Sequence, residues 1–347
     1  MKKIIIIILL SILPLEVYGI DISARSAIML DMDTKRILYS KNINEQRSVA
    51  SISKIMTAVL AIESGKMDDI VTIGDEIDKS YGSGIYIEKG EEITLRDLVY
   101  GLMLRSGNDA SYAIANYLDG DNFVDLMNKK AKEIGMINTV FNNPNGLDEE
   151  KGNYSTAFDM AILTSYANKI DEYRKIVSTK KYVVKTNKKT YKWTNKNRML
   201  FNYKYATGGK TGFTHKAKRT LVTTASKKDL NLVVVTLNDG DDFNDHKRLF
   251  EYGFNNFYKK QLLKKGTIDL YSKVYNGKYK LSVENDYINT FNKNDKIVIE
   301  YVLSSKPIIG YSGMVKVIVN GREYYKDNIV CTKIKKKKHF WEMLKLW

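Results

Sequence analysis

A serine and a lysine three residues apart, Ser51 and Lys54, have the types and spacing that nucleophilic catalysis needs. They stand directly before apolar residues that recur at helical spacing. Residues three apart in a helix share a face, so the amine of Lys54 can reach the hydroxyl of Ser51. A lysine can take the proton of a serine when burial or a neighbouring cation lowers its pKa. The pair therefore predicts a serine nucleophile with a lysine base.

Two further triplets, Ser106-Gly107-Asn108 and Lys210-Thr211-Gly212, follow at intervals of about 55 and 104 residues. Each pattern is weak alone, because serine-x-x-lysine recurs at 178–181 and serine-x-asparagine at 40–42. The copy at 178–181 is typical of a solvated helix end that leads into a strand, and the copy at 40–42 precedes the nucleophile. The three motifs in this order are a strong signal, because acyl transfer needs oxyanion donors and a leaving-group acid besides the base.

These motifs need elements that hold them in place. Apolar residues from Ile55 to Ile62, with a stop at Gly65, place Ser51 in the first turn of a buried helix. Thr94 and Asp97 resemble a capping box that opens a second helix. Because a third helix follows at once, the triplet at 106–108 is predicted to be a turn between helices.

The remaining pattern predicts an α/β fold of the α+β type, in which an antiparallel sheet is flanked by helices. Strands are expected at 26–30 and 37–40, which form a β-hairpin, and at 70–73, 181–186, 190–194, 220–226 and 230–237. Further helices are expected at 110–118, 121–134, 156–167, 171–177 and 249–257, and a loop at 206–209.

A small all-β domain is predicted after a polar junction formed by Lys259, Lys260, Lys264 and Lys265. Its strands are expected at 279–283, 296–302, 314–319 and 323–325, with turns at Asn276-Gly277 and Asn320-Gly321. The predicted domains are a signal peptide at 1–19, a catalytic domain at 20–260, the β domain at 261–331 and a basic amphipathic tail at 332–347.

The first residues have the order of a secretory signal. Lys2 and Lys3 precede an apolar run that extends to Leu15, and cleavage is expected after Gly19. An uncleaved anchor is the alternative, although the run is shorter than the roughly 20 residues that span a bilayer. With either outcome the rest of the chain is exported and acts outside the cytoplasm.

Composition excludes several classes of protein. The single cysteine, Cys331, allows no intramolecular disulfide. The three histidines are scattered and no cysteines are paired, so neither a zinc site nor another cofactor is expected. His215, near the third triplet, is expected on the rim of the site.

The net charge of +16 is high enough to bind nucleic acid in a cytoplasmic protein. For an exported chain we expect lipid headgroups, wall polymers and acidic peptides instead, and no nucleic-acid partner. The alternative is that many of the lysines only cover solvated surface. The end of the chain, 333–347, places four consecutive lysines before aromatic and aliphatic residues. This pattern suits a membrane surface, with a solvated tail as the alternative.

The three motifs resemble those of the penicillin-binding protein and serine β-lactamase superfamily. The chain is most similar to low-molecular-mass penicillin-binding proteins that act as serine-type D-alanyl-D-alanine carboxypeptidases. The similarity runs from about Ser26 to Phe257 and on into the β domain. The stretches 26–31, 154–159 and 209–214 also carry it. The resemblance implies hydrolysis of peptidoglycan stem peptides and acylation by β-lactam antibiotics.

The resemblance also implies catalytic roles. Ser51 attacks the carbonyl between the two terminal D-alanines, and neutral Lys54 takes its proton. Asn108 holds Lys54 and the substrate backbone, while Ser106 passes a proton to the departing D-alanine. Water then hydrolyses the acyl-enzyme.

Substrate binding is implied for the stretch Lys210-Thr211-Gly212-Phe213. Lys210 and Thr211 receive the terminal carboxylate, and the charge of Lys210 depresses the pKa of Lys54. The backbone N–H groups of Ser51 and Phe213 form the oxyanion hole. Two departures from the family pattern bear on substrate preference: Lys218 stands where a glycine is common, and Asn145 where a histidine is common.

Three other functions are weighed against this one. A class A β-lactamase would carry a Glu-x-x-Leu-Asn pattern near Asn142, and neither Glu149 nor Glu150 is followed by that pattern. A transpeptidase usually has extra domains before the catalytic one, and only residues 20–25 precede Ser26 in the expected mature chain. A non-catalytic wall-binding protein would not need all three motifs intact.

Overall fold

The computed structural model of the chain describes residues 20–148, 151–268 and 278–334. The signal segment, Glu149 and Glu150, the turn at Asn276-Gly277 and the tail from residue 335 lie outside the described residues. The α-helices are α1 Lys54–Glu63, α2 Leu95–Arg105, α3 Asn108–Leu118, α4 Phe123–Glu133, α5 Ala157–Ala167, α6 Asp171–Ser178, α7 Met199–Asn202 and α8 Asp242–Asn256. Short 3₁₀ helices span Ala50–Ser53, Asp75–Lys79 and Gly120–Asn122.

The strands follow the same chain order. They are β1 Ser26–Asp31, β2 Ile37–Lys41, β3 Arg47–Ser48, β4 Ile70–Thr72, β5 Glu92–Thr94, β6 Tyr154–Ser155, β7 Lys181–Lys185, β8 Thr190–Thr194, β9 Ala206–Thr214, β10 Lys218–Lys227, β11 Leu230–Leu237, β12 Phe257–Leu263, β13 Gly266–Thr267, β14 Tyr279–Val283, β15 Tyr287–Asn292, β16 Ile297–Leu303, β17 Gly310–Val319 and β18 Arg322–Lys333.

A five-stranded antiparallel sheet in the order β2-β1-β11-β10-β9 forms the centre of the catalytic part. Its middle strands are buried on both faces, because alternate side chains of a strand point to opposite sides. Ile28 and Leu30 belong to the apolar core shared with α1 to α6, whereas Met29 packs with Leu249 and Phe250 of α8. The expected α+β class with helices on both sides of an antiparallel sheet is confirmed.

The helices that carry the second motif begin and end as the sequence predicts. The hydroxyl oxygen of Thr94 accepts a hydrogen bond from the backbone N–H of Asp97 at 3.0 Å, which caps α2. Helix α2 ends at Arg105, and Ser106 follows in the left-handed conformation at φ 63°. Because α3 begins at Asn108, the triplet lies at the sharp junction of two helices.

Three local predictions are wrong. Ser51 lies in a 3₁₀ turn before α1 and not in the first turn of the α-helix, because the left-handed Ala50 tightens the chain there. Residues 206–209 belong to β9, where their backbone pairs with β10, so their glycines do not mark a loop. The closing helix α8 ends at Asn256, and Phe257 begins a strand.

The C-terminal part contains a second antiparallel sheet in the order β13-β14-β18-β17-β16, and a separate β12-β15 pair. Asn320 and Gly321 both have positive φ, at 52° and 80°, as the predicted hairpin turn requires. Lys259 and Lys260 lie within β12, which pairs with the unpredicted strand β15, so this stretch is not only a polar junction. The domain boundaries stated above stay predictions.

The central sheet meets the β12-β15 pair and the turn after β15 through buried polar contacts. Arg36, after β1, forms an ion pair with Asp295 at 2.8 Å, and its guanidinium lies 5.6 Å from the ring centre of Phe291. Thr290 of β15 donates a hydrogen bond to the buried carboxylate of Asp31. Among the helices in the described ranges, none is both long and apolar enough to cross a membrane.

Candidate active site

Ser51 and Lys54 lie next to each other because of the 3₁₀ turn. In a 3₁₀ helix, side chains at positions i and i+3 eclipse each other. The amine Nζ of Lys54 is 3.1 Å from the hydroxyl Oγ of Ser51. Ala50, directly before the serine, is buried and held at φ 49°, a conformation that an L residue seldom adopts. The turn is therefore held by its surroundings and not by local preference.

Lys54 is fully buried, and its amine has three neighbours. Besides Ser51, it donates to Oδ1 of Asn108 at 2.6 Å and to the backbone carbonyl of Asn145. All three are uncharged oxygen atoms. No carboxylate of the described residues accepts a hydrogen bond from this ammonium group, so its charge is not balanced by a direct partner.

The environment of Lys54 favours the neutral amine. Burial lowers the pKa of Lys54 well below its ordinary value of 10.5, and the charges of Lys210 and Lys196 lower it further. Asp109 opposes this shift more weakly. A neutral amine 3.1 Å from a serine hydroxyl has the geometry of a general base.

Ser106 and Lys210 form the second pair of the site. The amine of Lys210 donates to Oγ of Ser106 at 2.9 Å and to the carbonyl of Thr211 at 2.7 Å. Burial, together with the charge of Lys196, lowers the pKa of Lys210 to about 7. Near neutral pH this amine therefore changes between a cation and a neutral group.

Two glycines allow other segments to approach the turn of Ser51. A Cβ at Gly212 on β9 would overlap the Thr220 hydroxyl and lie 3.0 Å from the backbone nitrogen of Ser51. Gly146 has φ 82°, and a Cβ there would overlap the carbonyl oxygen of Ala50 and the hydroxyl of Ser53. The turn is thus held between β9 and the loop at 143–146.

An open cleft of about 480 Å³ lies over these residues. Members of all three motifs line it, namely Ser51, Ser106, Thr211, Gly212 and Phe213. Residues that the sequence analysis missed also line it, namely Ser83, Lys196, Arg198, Arg219, Asp242 and Phe243. No recognised spacing marks these residues; only the polar run around Lys196 is visible in the sequence. A larger cleft of about 850 Å³ contains none of the three motifs.

The added residues make the cleft basic. Lys196 is exposed and donates to the hydroxyl of Ser83 at 3.1 Å. Arg219 on β10 forms an ion pair with Asp242 at 3.1 Å, and Arg198 lies over the ring of Phe243. Together with Lys210, these side chains give the cleft the charge that an anionic ligand requires.

All eight predicted site residues are brought together here. Lys54 contacts Ser51 and Asn108, and Lys210 contacts Ser106. Thr211, Gly212 and Phe213 line the cleft together with Ser51 and Ser106. The second serine-x-x-lysine copy lies elsewhere, at the exposed end of α6. In the described part of the chain, no three acidic, histidine or cysteine side chains are grouped as metal ligands would be.

Lys218 and Asn145, the two residues that depart from the expected motif pattern, both lie in conformations or contacts that the structure defines. Lys218 adopts φ 59° where β10 begins, which is the conformation that a glycine would take without strain. Asn145 is buried, and its backbone carbonyl is the group that contacts Lys54. Its side-chain Nδ2 has no hydrogen-bond partner among the described residues. His215 is exposed beside Phe213, with 6.0 Å between the ring centres.

Comparisons with known proteins agree with this geometry. A family profile described as D-alanyl-D-alanine carboxypeptidase, peptidase family S11, matches residues 14–241. The D-alanyl-D-alanine carboxypeptidase DacF of Bacillus subtilis is 36% identical over 268 residues, which cover 74% of this chain and 69% of that protein. The Escherichia coli carboxypeptidase DacC is 33% identical over 68% of this chain and 62% of its own length.

A solved structure resembles the chain beyond the catalytic part. Penicillin binding protein 5 from Haemophilus influenzae superposes with a TM-score of 0.76 at 28% identity. The match covers 91% of this chain and 98% of that one, so it includes the C-terminal β sheet.

Proposed function

Because this chain belongs to the D-alanyl-D-alanine carboxypeptidase family of serine peptidases, we propose that it removes the terminal D-alanine from peptidoglycan stem pentapeptides through an acyl-enzyme on Ser51. Its reaction class is hydrolysis by a serine-type carboxypeptidase. One observation carries the assignment of residues: Lys54, buried and 3.1 Å from Ser51, has its pKa lowered.

In the proposed acylation, neutral Lys54 takes the proton of Ser51 while Oγ bonds to the carbonyl carbon between the two D-alanines. Asn108 supports this step because its side-chain oxygen holds the amine at 2.6 Å. The backbone N–H groups of Ser51 and Phe213 stabilise the negative charge on the carbonyl oxygen. The close approach of Gly212 to Ser51 supports a shared oxyanion site.

The carbon–nitrogen bond then breaks, and the departing D-alanine needs a proton on its amine. Ser106 supplies it in the proposed mechanism, and the hydrogen bond from Lys210 at 2.9 Å holds its hydroxyl in place. The proton that Lys54 took from Ser51 then replaces the one that Ser106 gave up, so Lys54 is neutral again and Lys210 keeps its charge. Water next attacks the acyl-enzyme, and Lys54 again acts as the base. The second product is the shortened peptide, and Ser51 is restored.

The terminal carboxylate of the substrate is proposed to bind Lys210 and Thr211. A carboxylate beside Lys210 favours its protonated form, so substrate binding stabilises the cation that attracts it. Lys196, Arg198 and Arg219 line the same cleft and support recognition of an anionic peptide end. The same groups would bind the carboxylate of a β-lactam, which we propose acylates Ser51.

We further propose that the chain is exported by its first 19 residues and held at the outer face of the cytoplasmic membrane by its basic tail. The order of charged and apolar residues at both ends supports this location. The small β domain, proposed at 261–331, would then connect the catalytic domain to the membrane surface.

The decisive experiment compares the wild-type protein with Ser51→Ala. Labelling by a fluorescent penicillin and release of free D-alanine from a pentapeptide are measured for both. We expect the variant to lose both signals, because no nucleophile remains to form the acyl-enzyme. Equal release of D-alanine by the two proteins would refute the proposed role of Ser51.

A further inference from the structure

Four apolar side chains are exposed together at one end of the C-terminal sheet. Ile308, Ile309 and Tyr311 lie in and after the connection between β16 and β17, and Ile334 follows β18. Each is more than half exposed to solvent. We call these four residues the apolar tip. A cluster of exposed apolar side chains marks an interaction surface more often than isolated ones do.

The strand register explains why these residues lie at the same end. Gly310 pairs with Cys331 and Tyr311 with Val330, so the start of β17 lies beside the end of β18. The backbone N–H of Ile334 donates to the carbonyl of Lys278 at 3.1 Å, which brings in the start of β14. The chain therefore leaves the sheet at Ile334, beside the loop with Ile308 and Ile309.

Lysines accompany the tip. Lys278, Lys306 and Lys333 are all exposed, and none of them forms an ion pair with a described residue. Beyond Ile334 the sequence continues with Lys335 to Lys338 and then Phe340 and Trp341. Apolar side chains among unpaired lysines are complementary to a surface with anionic headgroups above an apolar layer. A site for another soluble protein would not need this excess of positive charge.

The tip lies at the end of the sheet that is remote from the catalytic domain. At the opposite end, Asn320 donates to Asp295 at 2.8 Å, and Asp295 forms the ion pair with Arg36. The ten-residue strand β17 connects the two ends and spans about 30 Å at the usual rise per residue. The tip can therefore contact a flat surface without obstruction by the catalytic domain.

We infer that the apolar tip inserts into the headgroup layer of an anionic lipid bilayer and is a second membrane contact besides the basic tail. This inference rests on the exported location proposed above. Two contacts would restrict the orientation of the domain, whereas one flexible attachment would not. The contact between Arg36 and Asp295 would then lie about one β-strand length from the lipid surface.

A fluorescent dye at the tip tests insertion directly. An environment-sensitive dye is attached to the new cysteine of full-length Ile309→Cys. Because the native Cys331 is buried, the dye signal reports on residue 309. Wild type treated with the same dye corrects for any reaction at Cys331. Full-length Ile137→Cys, at an exposed site of the catalytic domain, is the matched control. We expect a blue shift with vesicles of equal parts phosphatidylglycerol and phosphatidylcholine for Ile309→Cys alone. The absence of a blue shift with vesicles would overturn the inference. A blue shift that appears without vesicles and grows with protein concentration would also overturn it, because the tip would then contact a second copy of the protein.

Charge substitution tests the contribution to binding. Full-length Ile308→Asp/Ile309→Asp is compared with Ile70→Asp/Ile137→Asp, which adds the same charge at two exposed aliphatic sites of the catalytic domain. In co-sedimentation with the same vesicles we expect the tip variant to bind about tenfold more weakly than the control. Equal binding would overturn the inference. Release of D-alanine from a soluble pentapeptide should be unchanged in both variants, so failure of the inference is distinguishable from failure of the proposed function.

Discussion

The side-chain oxygen of Asn108 lies 2.6 Å from the amine of Lys54, and the amide nitrogen of the same residue donates to the carbonyl of Tyr81 at 2.6 Å. The contact with Tyr81 fixes the orientation of the amide, so its oxygen faces the lysine. A neutral oxygen can position the amine without stabilising its charged form as a carboxylate would. This relationship places Lys54 without favouring its charged form.

Asn108→Asp should therefore lower the rate of acylation although the new side chain has nearly the same shape. A carboxylate beside Lys54 raises the pKa of that lysine and favours the ammonium form, which cannot take a proton. We expect the rate of acylation by penicillin at neutral pH to fall by about tenfold or more. In a plot of this rate against pH, the rising part on the acid side (the acid limb) should move to higher pH. Asn108→Ala is the control: it should lose rate without that upward movement. An unchanged acid limb in Asn108→Asp would contradict the prediction.

The pH dependence of the wild-type enzyme follows from two lysines with opposite requirements. Lys54 must be neutral, so kcat/KM should rise with pH through its lowered pKa. Lys210 must be protonated to attract a carboxylate, so kcat/KM should fall as pH rises through its pKa of about 7. The fall on the alkaline side should lie at higher pH in the profile of kcat than in that of kcat/KM, because the bound substrate carboxylate stabilises the protonated form of Lys210.

Lys196→Gln tests the residue that the sequence analysis missed. Lys196 lowers the pKa of both Lys54 and Lys210, so its removal should raise both values. We expect both limbs of the kcat/KM profile for D-alanine release to move to higher pH. Lys192→Gln, an exposed change on β8, should leave the profile unchanged. Movement of the limbs in opposite directions would show that Lys196 acts in another way.

Replacing Lys210 should stabilise the protein while abolishing its activity. The pKa of this lysine falls from 10.5 to about 7 on folding, so the unfolded chain binds more protons between these values and stability rises with pH there. Below pH 7 the folded protein must bury a charged lysine. We expect Lys210→Met to raise the free energy of unfolding by about 1–2 kcal/mol, and by more below pH 7 than above pH 8. Urea unfolding at the two pH values measures this, and a gain that is larger at high pH would contradict it.

Local signals in the sequence predict much of this fold. Helix α2 carries its own cap at Thr94, and the turn at 320–321 has the asparagine-glycine pair that this turn needs. The motifs of the site are equally visible, since each is a short run of adjacent residues. The 3₁₀ turn at Ser51 is not predictable in this way, because it depends on β9 and on the loop at 143–146, which are distant in the chain.

The basic residues of the cleft are hidden for the same reason. Lys196 comes after β8 and Arg219 lies on β10, so only the folded chain brings them near Ser51. Strand β15 was missed because its apolar residues do not alternate regularly: the polar pair Asn289 and Thr290 lies at its centre. Its partner β12 is rich in lysine, which resembles a linker more than a strand.

Gly146→Ala should disturb the turn that carries the nucleophile. A methyl group at this position would overlap the carbonyl of Ala50, and the residue would keep a left-handed φ of 82°. We expect a loss of about 2–3 kcal/mol in the free energy of unfolding and at least about tenfold slower penicillin acylation. Gly135→Ala is the matched control, because its φ is 88° but nothing lies within 4 Å of the added methyl group. It should cost about 1 kcal/mol and leave acylation unchanged; equal effects of the two changes on acylation would refute the steric argument.

Deleting residues 335–347 should separate membrane binding from catalysis. The segment supplies four consecutive lysines and two tryptophans, whereas the eight predicted site residues all precede it by more than a hundred positions. We expect unchanged release of D-alanine from a soluble pentapeptide and about tenfold or more weaker binding to phosphatidylglycerol vesicles. Because each lysine near an anionic surface adds attraction that salt screens, the full-length protein should lose more binding than the truncated one when salt is added. If the deletion does not affect vesicle binding, the tail is not an anchor. If the truncated protein still binds weakly and Ile308→Asp/Ile309→Asp abolishes this residual binding, the residual binding belongs to the apolar tip.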